Sequence, residues 1–559
     1  NMKIKRRNLL ILESKKKKLK NRKKKEKKKK KKKMADSSNA VGIGGFPYTE
    51  DQLIDVESVY DPFSKPKQYD REPTPYQHII RPFSASAGEH GQPYDFRIPA
   101  DPYLWTNLQN IRIGGQMRIV DADASLSDGD TYKPCMIEES ENFEDISLCN
   151  NFYQSLWAKV VVEIENCEIS DPTNEPYPYK AYFETLLNYS TEYKEKVLKT
   201  SGWVEDPPHK AKALSCNSQN GEHFNPALVE RRKGVLGSWD EFDIMLHSDI
   251  VTAHKHLPPG YRLAFKLTRM KDDFIIMKPT AGTCEVEVEY DGEKEEKEVY
   301  IYDTEDNGNI KYNNTGPVRK IQKIEIAPKK RGWIQKTIKA NDKKYKIELR
   351  DVHLIVERLH APDKYVQRFK AKRDTFGASI PFTRNLLQTY PILEGQTDLC
   401  RFSLIVSDQL PETALVAITT QKAYNGSTNT NPFNFEALPI NRCSLVVNSG
   451  LEPQEPYNIL STDFKRKRTF HSFLENIGAS QRDSVCCSID FEKYYGGSQI
   501  FSFDRTNKNR DKYYKMDGGT LGLNIHLSTP ATENLQVIFY ATYSSEISLK
   551  NNRVLTKTF

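Results

Sequence analysis

The chain has 559 residues, 37% hydrophobic and 11% aromatic, with 29 Tyr and 25 Phe against 8 Met. Single cores stop growing near ~250–300 residues, so this length implies two or three of them. The formal charge of +8 is uneven: residues 1–34 hold 20 Lys/Arg against Glu13 and Glu26, leaving 63 basic and 73 acidic side chains in residues 35–559. A body with a net charge of −10 and no basic stripe among its aromatics is not that of a nucleic-acid binder. Nine cysteines without a C-x-x-C spacing indicate neither a zinc framework nor a disulfide scaffold, and fit a reducing intracellular compartment. The apolar run "NLLIL" is too short for a secretion signal, and no stretch nears the ~18 apolar residues of a membrane span, so a soluble product that is not secreted is expected.

In chain order, "KKKKLKNRKKKEKKKKKKKM" is expected to be disordered by self-repulsion. It is a candidate nuclear localisation signal or polyanion-binding arm, the only part with nucleic acid as a possible partner. Residue 1 is Asn, and Met34 opens a plausible start, "MADSSNAVGIGGFPYTE", which would make the tail upstream translated sequence. Residues 35–95, rich in Pro, Gly, Ser and Tyr, read as an extended N-terminal arm. Short strands then follow. "WAKVVVEIENCEI" sets Val160, Val162 and Ile164 on one face, "YRLAFKLTRM" alternates Leu263, Phe265 and Leu267, and "TLGLNIHLS" alternates Leu521, Leu523, Ile525 and Leu527.

Helical signals are few. "PYKAYFETLLNYSTEYKEKVLKT" has an apolar face of Tyr182, Leu186, Leu187 and Tyr189, and "STDFKRKRTFHSFLENIG" starts at a cap and ends near Gly478. Residues 278–342 are charged and amphipathic, with Asp291-Gly292 as a turn signal, and read as an inserted surface hairpin. Many short strands with helices in long connections predict an all-β fold of sandwiches or barrels. One connection is odd. "YNGSTNTNPFNFEALPI", residues 424–440, mixes turn formers with Phe433 and Phe435, which need something to pack against.

No catalytic constellation stands out. His247, His254 and His256 in "MLHSDIVTAHKHLPPGY" have the residue type for metal but no acidic or thiol partner at a standard spacing. "DADASLSDGD", with Asp121 and Asp123, has Leu126 where a calcium loop needs Gly and Tyr132 where it needs Glu, so a hairpin tip is expected. Cys486 and Cys487 are adjacent and would face opposite ways on a strand. These absences favour a structural or binding protein over an enzyme, with no cofactor and no metal.

Several collinear motifs resemble one family. "PYLWTNLQNIRIGGQMRIVDADASLSDGD", "NNFYQSLWAKVVVEIENCEI" and "EPYPYKAYFETLLNYS" resemble the first half of the double jelly-roll major capsid proteins of Polinton (Maverick) elements and adintoviruses. Tyr177, Pro178, Tyr179, Ala181, Tyr182, Glu184, Leu186 and Leu187 match that family's helix. "FDIMLHSDIVTAHKHLPPGYRLAFKLTRMKDDFIIM" and "YKIELRDVHLIVERLHAPD" continue the match, as do "YNGSTNTNPFNFEAL" and "NLQVIFYATYSSEISLKNNRVL" in the second half. The resemblance spans about 95–278 and 343–559, and neither the Lys-rich tail nor residues 278–342 has a counterpart. It implies two eight-stranded jelly rolls side by side, the first over 96–360 and the second over 375–559 with a C-terminal strand. It further implies a homotrimeric, pseudo-hexagonal capsomer in an icosahedral virion, with a minor capsid or penton protein as partner and an intracellular stage before assembly. Tyr177, Tyr179, Tyr182, Asn431, Pro432, Phe433 and Phe435 would be its structural or assembly motif. Phe433 and Phe435 would pack in the second roll's own core or on a neighbouring subunit. The alternative is a cytosolic β-sandwich binding module, lectin-like or a scaffold.

Overall fold

A computed structural model describes residues 75–83, 93–122, 135–136, 145–170, 176–217, 222–279, 282–288, 297–301, 320–324, 332–338, 343–360, parts of 366–373, 377–407, 409–459, 463–479, 487–505, 518–550 and 553–558. All lie in one compact unit, Pro73–Phe559. The Lys-rich tail and Asp123 fall outside them.

Strands are numbered in chain order, and a separate short ladder joins β5 (Ser147–Leu148) to β10 (Ile276–Met277). In the first half, β1 (Tyr76–Ile80), β15 (Tyr345–His360) and β3 (Leu104–Asp121) lie side by side, and β4 (Cys135–Met136) and β8 (Asp240–Met245) both pair with β3. A second sheet runs β2 (Pro93–Ile98), β9 (Leu263–Arg269), β6 (Trp157–Ile164), β7 (Cys167–Glu168). Setting aside β4, the eight strands taken in order form one sheet from the first, eighth, third and sixth and another from the second, seventh, fourth and fifth. The second half repeats this order. β16 (Ala378–Ile392), β23 (Leu535–Lys550), β18 (Thr413–Thr420) and β21 (Ile500–Asp504) form one sheet, with β24 (Arg553–Thr558) on β23. β17 (Asp398–Ser407), β22 (Gly519–Leu527), β19 (Ile440–Val447) and β20 (Gly450–Tyr457) form the other. The fold is a double jelly roll.

Periodicity explains most of these strands. Leu263, Phe265 and Leu267 of β9 and Leu521, Leu523 and Ile525 of β22 are fully buried, with their intervening neighbours more exposed, Gly522 excepted. β18 differs because six consecutive residues, Ala414–Thr419, are buried. Ala414, Val416 and Ile418 join the second roll's own core, whereas Leu415 and Ala417 join the cluster of the first half. The sheet containing β18 and β23 is therefore covered on both faces, which is why "TALVAITT" is continuously apolar.

Eight helices matter here: α1 (Phe152–Ser155), α2 (Tyr177–Asn188), α3 (Thr191–Lys196), α4 (Pro226–Arg232), α5 (Asp272–Ile275), α6 (Gln421–Tyr424), α7 (Asp463–Asn476) and α8 (Phe491–Tyr495). In both rolls helices fill the connection from the fifth to the sixth strand, α2–α4 in the first and α7–α8 in the second. The single helix expected from "PYKAYFETLLNYSTEYKEKVLKT" is two. Tyr189 is extended, and the Ser190 hydroxyl caps a new helix by accepting from Tyr193 N at 3.2 Å.

Two further expectations change. The stretch read as an arm supplies β1 and the start of β2, both edge strands, where Pro93 at the first position of β2 is tolerated. The inserted segment, between the seventh and eighth strands of the first roll, is a nested pair of ladders. β11 (Gly282–Val288) pairs with β14 (Gly332–Ile338), and β12 (Lys297–Ile301) with β13 (Lys320–Ile324). The strands flanking Asp291-Gly292 thus pair with later partners rather than with each other; that dipeptide itself lies outside the described residues. These four strands join no other sheet among the described residues. Replacing residues 280–341 by a short turn should therefore leave both jelly rolls folded, with a melting temperature by circular dichroism within about 3 °C of the parent.

Candidate functional site

Helix α2 is apolar nearly all round, and nine of its twelve residues, including Tyr177, Tyr179, Tyr182, Phe183 and Leu186, are buried. A helix with so little polar surface must be enclosed. Strands and helices of the first roll enclose one side, and the loop 424–440 of the second roll encloses another. The Phe433 ring stacks on Tyr182, centroids 4.2 Å apart and 5° between planes, and meets Tyr179 edge-on at 5.6 Å. Phe435 stacks on Phe183 at 5.5 Å and lies edge-on to Tyr182 at 5.8 Å. Phe274 of α5 closes the group, 6.1 Å from Phe433 and perpendicular to it. Such pairs contribute about 0.5–1.5 kcal/mol each beyond the area they bury.

The loop is shaped to deliver these rings. Gly426 has φ +86, and a Cβ there would lie 3.2 Å from Phe274 Cβ, so glycine suits both backbone and space. Asn431 Oδ1 accepts from Phe433 N at 3.1 Å, fixing the turn, while Asn431 Nδ2 donates to Asp206 Oδ2 at 3.1 Å and to the Ala211 carbonyl at 3.0 Å in the first roll. Phe435 N donates to the Gly497 carbonyl at 2.8 Å. Pro432 is buried between them.

Phe433 is 2% exposed and Phe435 is fully buried. Both belong to the cluster that includes the first roll's core, not to the second roll's own. Their partner is thus neither of the two expected; it is the other half of the same chain. Tyr179, Tyr182, Phe433 and Phe435 come together. Tyr177 does not join the stack: its hydroxyl donates to Gln154 Oε1 at 2.7 Å and accepts from His247 N at 2.9 Å.

On the far side of α2 lies a charged group that periodicity gave no reason to expect. Lys180, 4% exposed, pairs with Asp249, 1% exposed. Asn385 of β16 donates to Asp249 Oδ1 at 3.0 Å and to Glu184 Oε1 at 3.1 Å, and the Tyr540 hydroxyl donates to Glu184 at 3.2 Å. His247 Nδ1 lies 2.9 Å from Glu184 Oε2. Burial pushes the Glu184 carboxyl up, but Lys180 and the hydrogen bonds from His247 and Tyr540 outweigh it and hold it below the usual range. Lys180 is likewise pulled down by burial and held above its ordinary value by Asp249 and Glu184. A sequence signal existed: Lys180 and Glu184 stand at i, i+4 on a helix otherwise without charge. A second polar tie joins the halves, with Lys493 on Glu205 and Lys194 Nζ 3.6 Å from Glu205 and 3.0 Å from Ser488 Oγ.

The three candidate histidines do not meet at a site. His247 binds Glu184, His254 Nδ1 lies 3.1 Å from Gln109 Nε2, and His254 and His256 line a small cavity with Trp105 and Phe369. Among the described residues no group of three His, Cys, Asp or Glu side chains is placed to hold a metal ion.

No family model matches the chain. An uncharacterised protein of Caenorhabditis elegans is 22% identical over 236 residues, 41% of this chain and 55% of that protein, so the match spans about half the length of this curated relative. Among solved structures, a chain of the Sputnik virophage superposes with a TM-score of 0.50 at 9% identity, covering 93% of this chain and 94% of that one. The Faustovirus major capsid protein gives 0.48 at 9% identity over 91% and 95%, and the mavirus major capsid protein 0.43 at 10% over 90% and 93%. At these identities the likeness is one of fold, and the Sputnik chain shares the double jelly roll that the strand order defines.

Phe433→Ala should destabilise the chain by about 3–5 kcal/mol in urea denaturation, because it empties space between the rolls. Glu184 gives a pH test. Its folded value lies below the ordinary 4.5, so its contribution is present above pH 4.5 and is lost as pH falls through the folded value. The stability gap between the parent and Glu184→Gln should be full at neutral pH and shrink in acid below that point.

Proposed function

We propose that this chain is a major capsid protein of the Polinton or virophage-like kind. In this reading three copies form a pseudo-hexagonal capsomer, and capsomers tile an icosahedral shell. One observation carries it: the same eight-strand order occurs twice in one chain, and the two rolls share a buried junction. A rigid pair of equivalent rolls, repeated three times about an axis, presents six near-equivalent units, the geometry a hexagonal lattice needs. The collinear sequence motifs and the fold shared with the Sputnik virophage chain support the reading. The motif residues then act within the subunit, with Tyr179, Tyr182, Phe433 and Phe435 fixing the spacing of the two rolls. The roll limits 96–360 and 375–559 belong to this proposal. So do a penton or minor capsid partner, a virion location, and an electrostatic role for the basic tail.

Assembly of this class buries ~2,000–5,000 Å² per obligate contact, which is incompatible with a stable free subunit. Analytical ultracentrifugation, with and without residues 1–33, should find a trimer at micromolar concentration in both cases. A well-behaved monomer would overturn the capsid reading in favour of a binding module. Loss of the trimer on removing residues 1–33 would give the tail a role in assembly.

A further inference from the structure

The charged group on the far side of α2 contains more than an ion pair. Lys180 Nζ and Asn385 Nδ2 both donate to the same oxygen, Asp249 Oδ1. Both also face Glu184 Oε1, which lies 3.9 Å from Lys180 Nζ and 3.1 Å from Asn385 Nδ2. Lys180, Asp249 and Asn385 are 4%, 1% and 3% exposed. Asp249 is held there by a 3-10 turn, Asp249–Thr252, whose Thr252 Oγ1 accepts from Thr383 N of β16 at 2.7 Å. The second oxygen of Asp249 is buried and accepts no hydrogen bond from the described residues.

From this geometry we infer that Lys180 and Asn385 are placed to form an intramolecular isopeptide bond, with Asp249 as the catalytic acid–base and Glu184 supporting it. An amine and a carboxamide do not react in water because the amine is protonated and the amide nitrogen is a poor leaving group. This site addresses both obstacles by holding the amine and the carboxamide on one carboxylate oxygen. Asp249 Oδ1, which accepts from both Lys180 Nζ and Asn385 Nδ2, takes a proton from the Lys180 ammonium. The free amine attacks Asn385 Cγ, forming the Nζ–Cγ bond. A proton returns from the carboxyl to Nδ2, the Cγ–Nδ2 bond breaks, and ammonia departs, taking up the remaining proton as ammonium. The products are one secondary amide and one ammonium ion, both carboxyl groups are restored, and neither oxidant nor external reactant is consumed.

The carboxylates that stabilise Lys180 as a cation keep the amine a minor species, so the reaction is slow. It needs to happen only once per chain. Dry surroundings bring the neutral amine–acid pair closer in energy to the ion pair, and fixed reactants gain from high effective concentration. The bond would join α2 of the first roll to β16 of the second, across the junction, and it is independent of the capsid reading.

High-resolution mass spectrometry of the full chain, purified and incubated at mildly alkaline pH, tests this. The expected result is a species lighter by one ammonia, growing with time, whose digest contains a branched peptide linking Lys180 to Asn385. Lys180→Arg keeps the cation but offers no amine to acylate, and should keep the sequence mass. A parent mass that stays equal to the sequence, with Lys180 and Asn385 in separate linear peptides, would overturn the inference. So would an ammonia loss that Lys180→Arg shares.

Discussion

Everything in this molecule turns on a helix with no face for water. Helix α2 carries Tyr179, Tyr182 and Phe183 on a side that the first roll alone does not cover. The second roll completes the enclosure with Phe433, Phe435 and Tyr540. In return, the outer face of its β18 and β23 sheet is removed from solvent. Each roll is thus the other's missing wall. Aromatic stacking supplies area and shape there, while the charged groups on the far side of α2 demand a particular orientation, since a buried ion pair tolerates little misalignment.

How far this could be read from the chain depended on the range of the interactions. β9 and β22 declare themselves by alternation, and α7 by the glycine that follows its end, because each follows from neighbours a few residues away. β1 and the start of β2 read as an arm because they are short edge strands in a Pro- and Tyr-rich stretch, and what makes them strands is β15 and β9, far along the chain. The break between α2 and α3 turned on one hydroxyl, Ser190, inside an otherwise helical pattern.

The site divides in the same way. Phe433 and Phe435 were conspicuous because apolar rings in a turn-rich segment need a partner, and the resemblance to a capsid family pointed to the helix with Tyr179 and Tyr182. That the helix and the loop face each other could not be read from either. The group of Lys180, Glu184, Asp249 and Asn385 was hidden for a different reason. Its members come from a helix, a turn and a strand, and only Lys180 and Glu184 share a local spacing that stands out.

The insertion between the seventh and eighth strands of the first roll shows how such a scaffold accommodates novelty. Its two ends touch: Lys278 Nζ donates to the Lys343 carbonyl at 2.7 Å, and Lys278 N is tied to the Thr428 carbonyl, also at 2.7 Å. A segment whose ends are already pinned together adds little closure entropy, and that cost grows only slowly with its length. The place has the form of a socket whose rim the rolls hold closed.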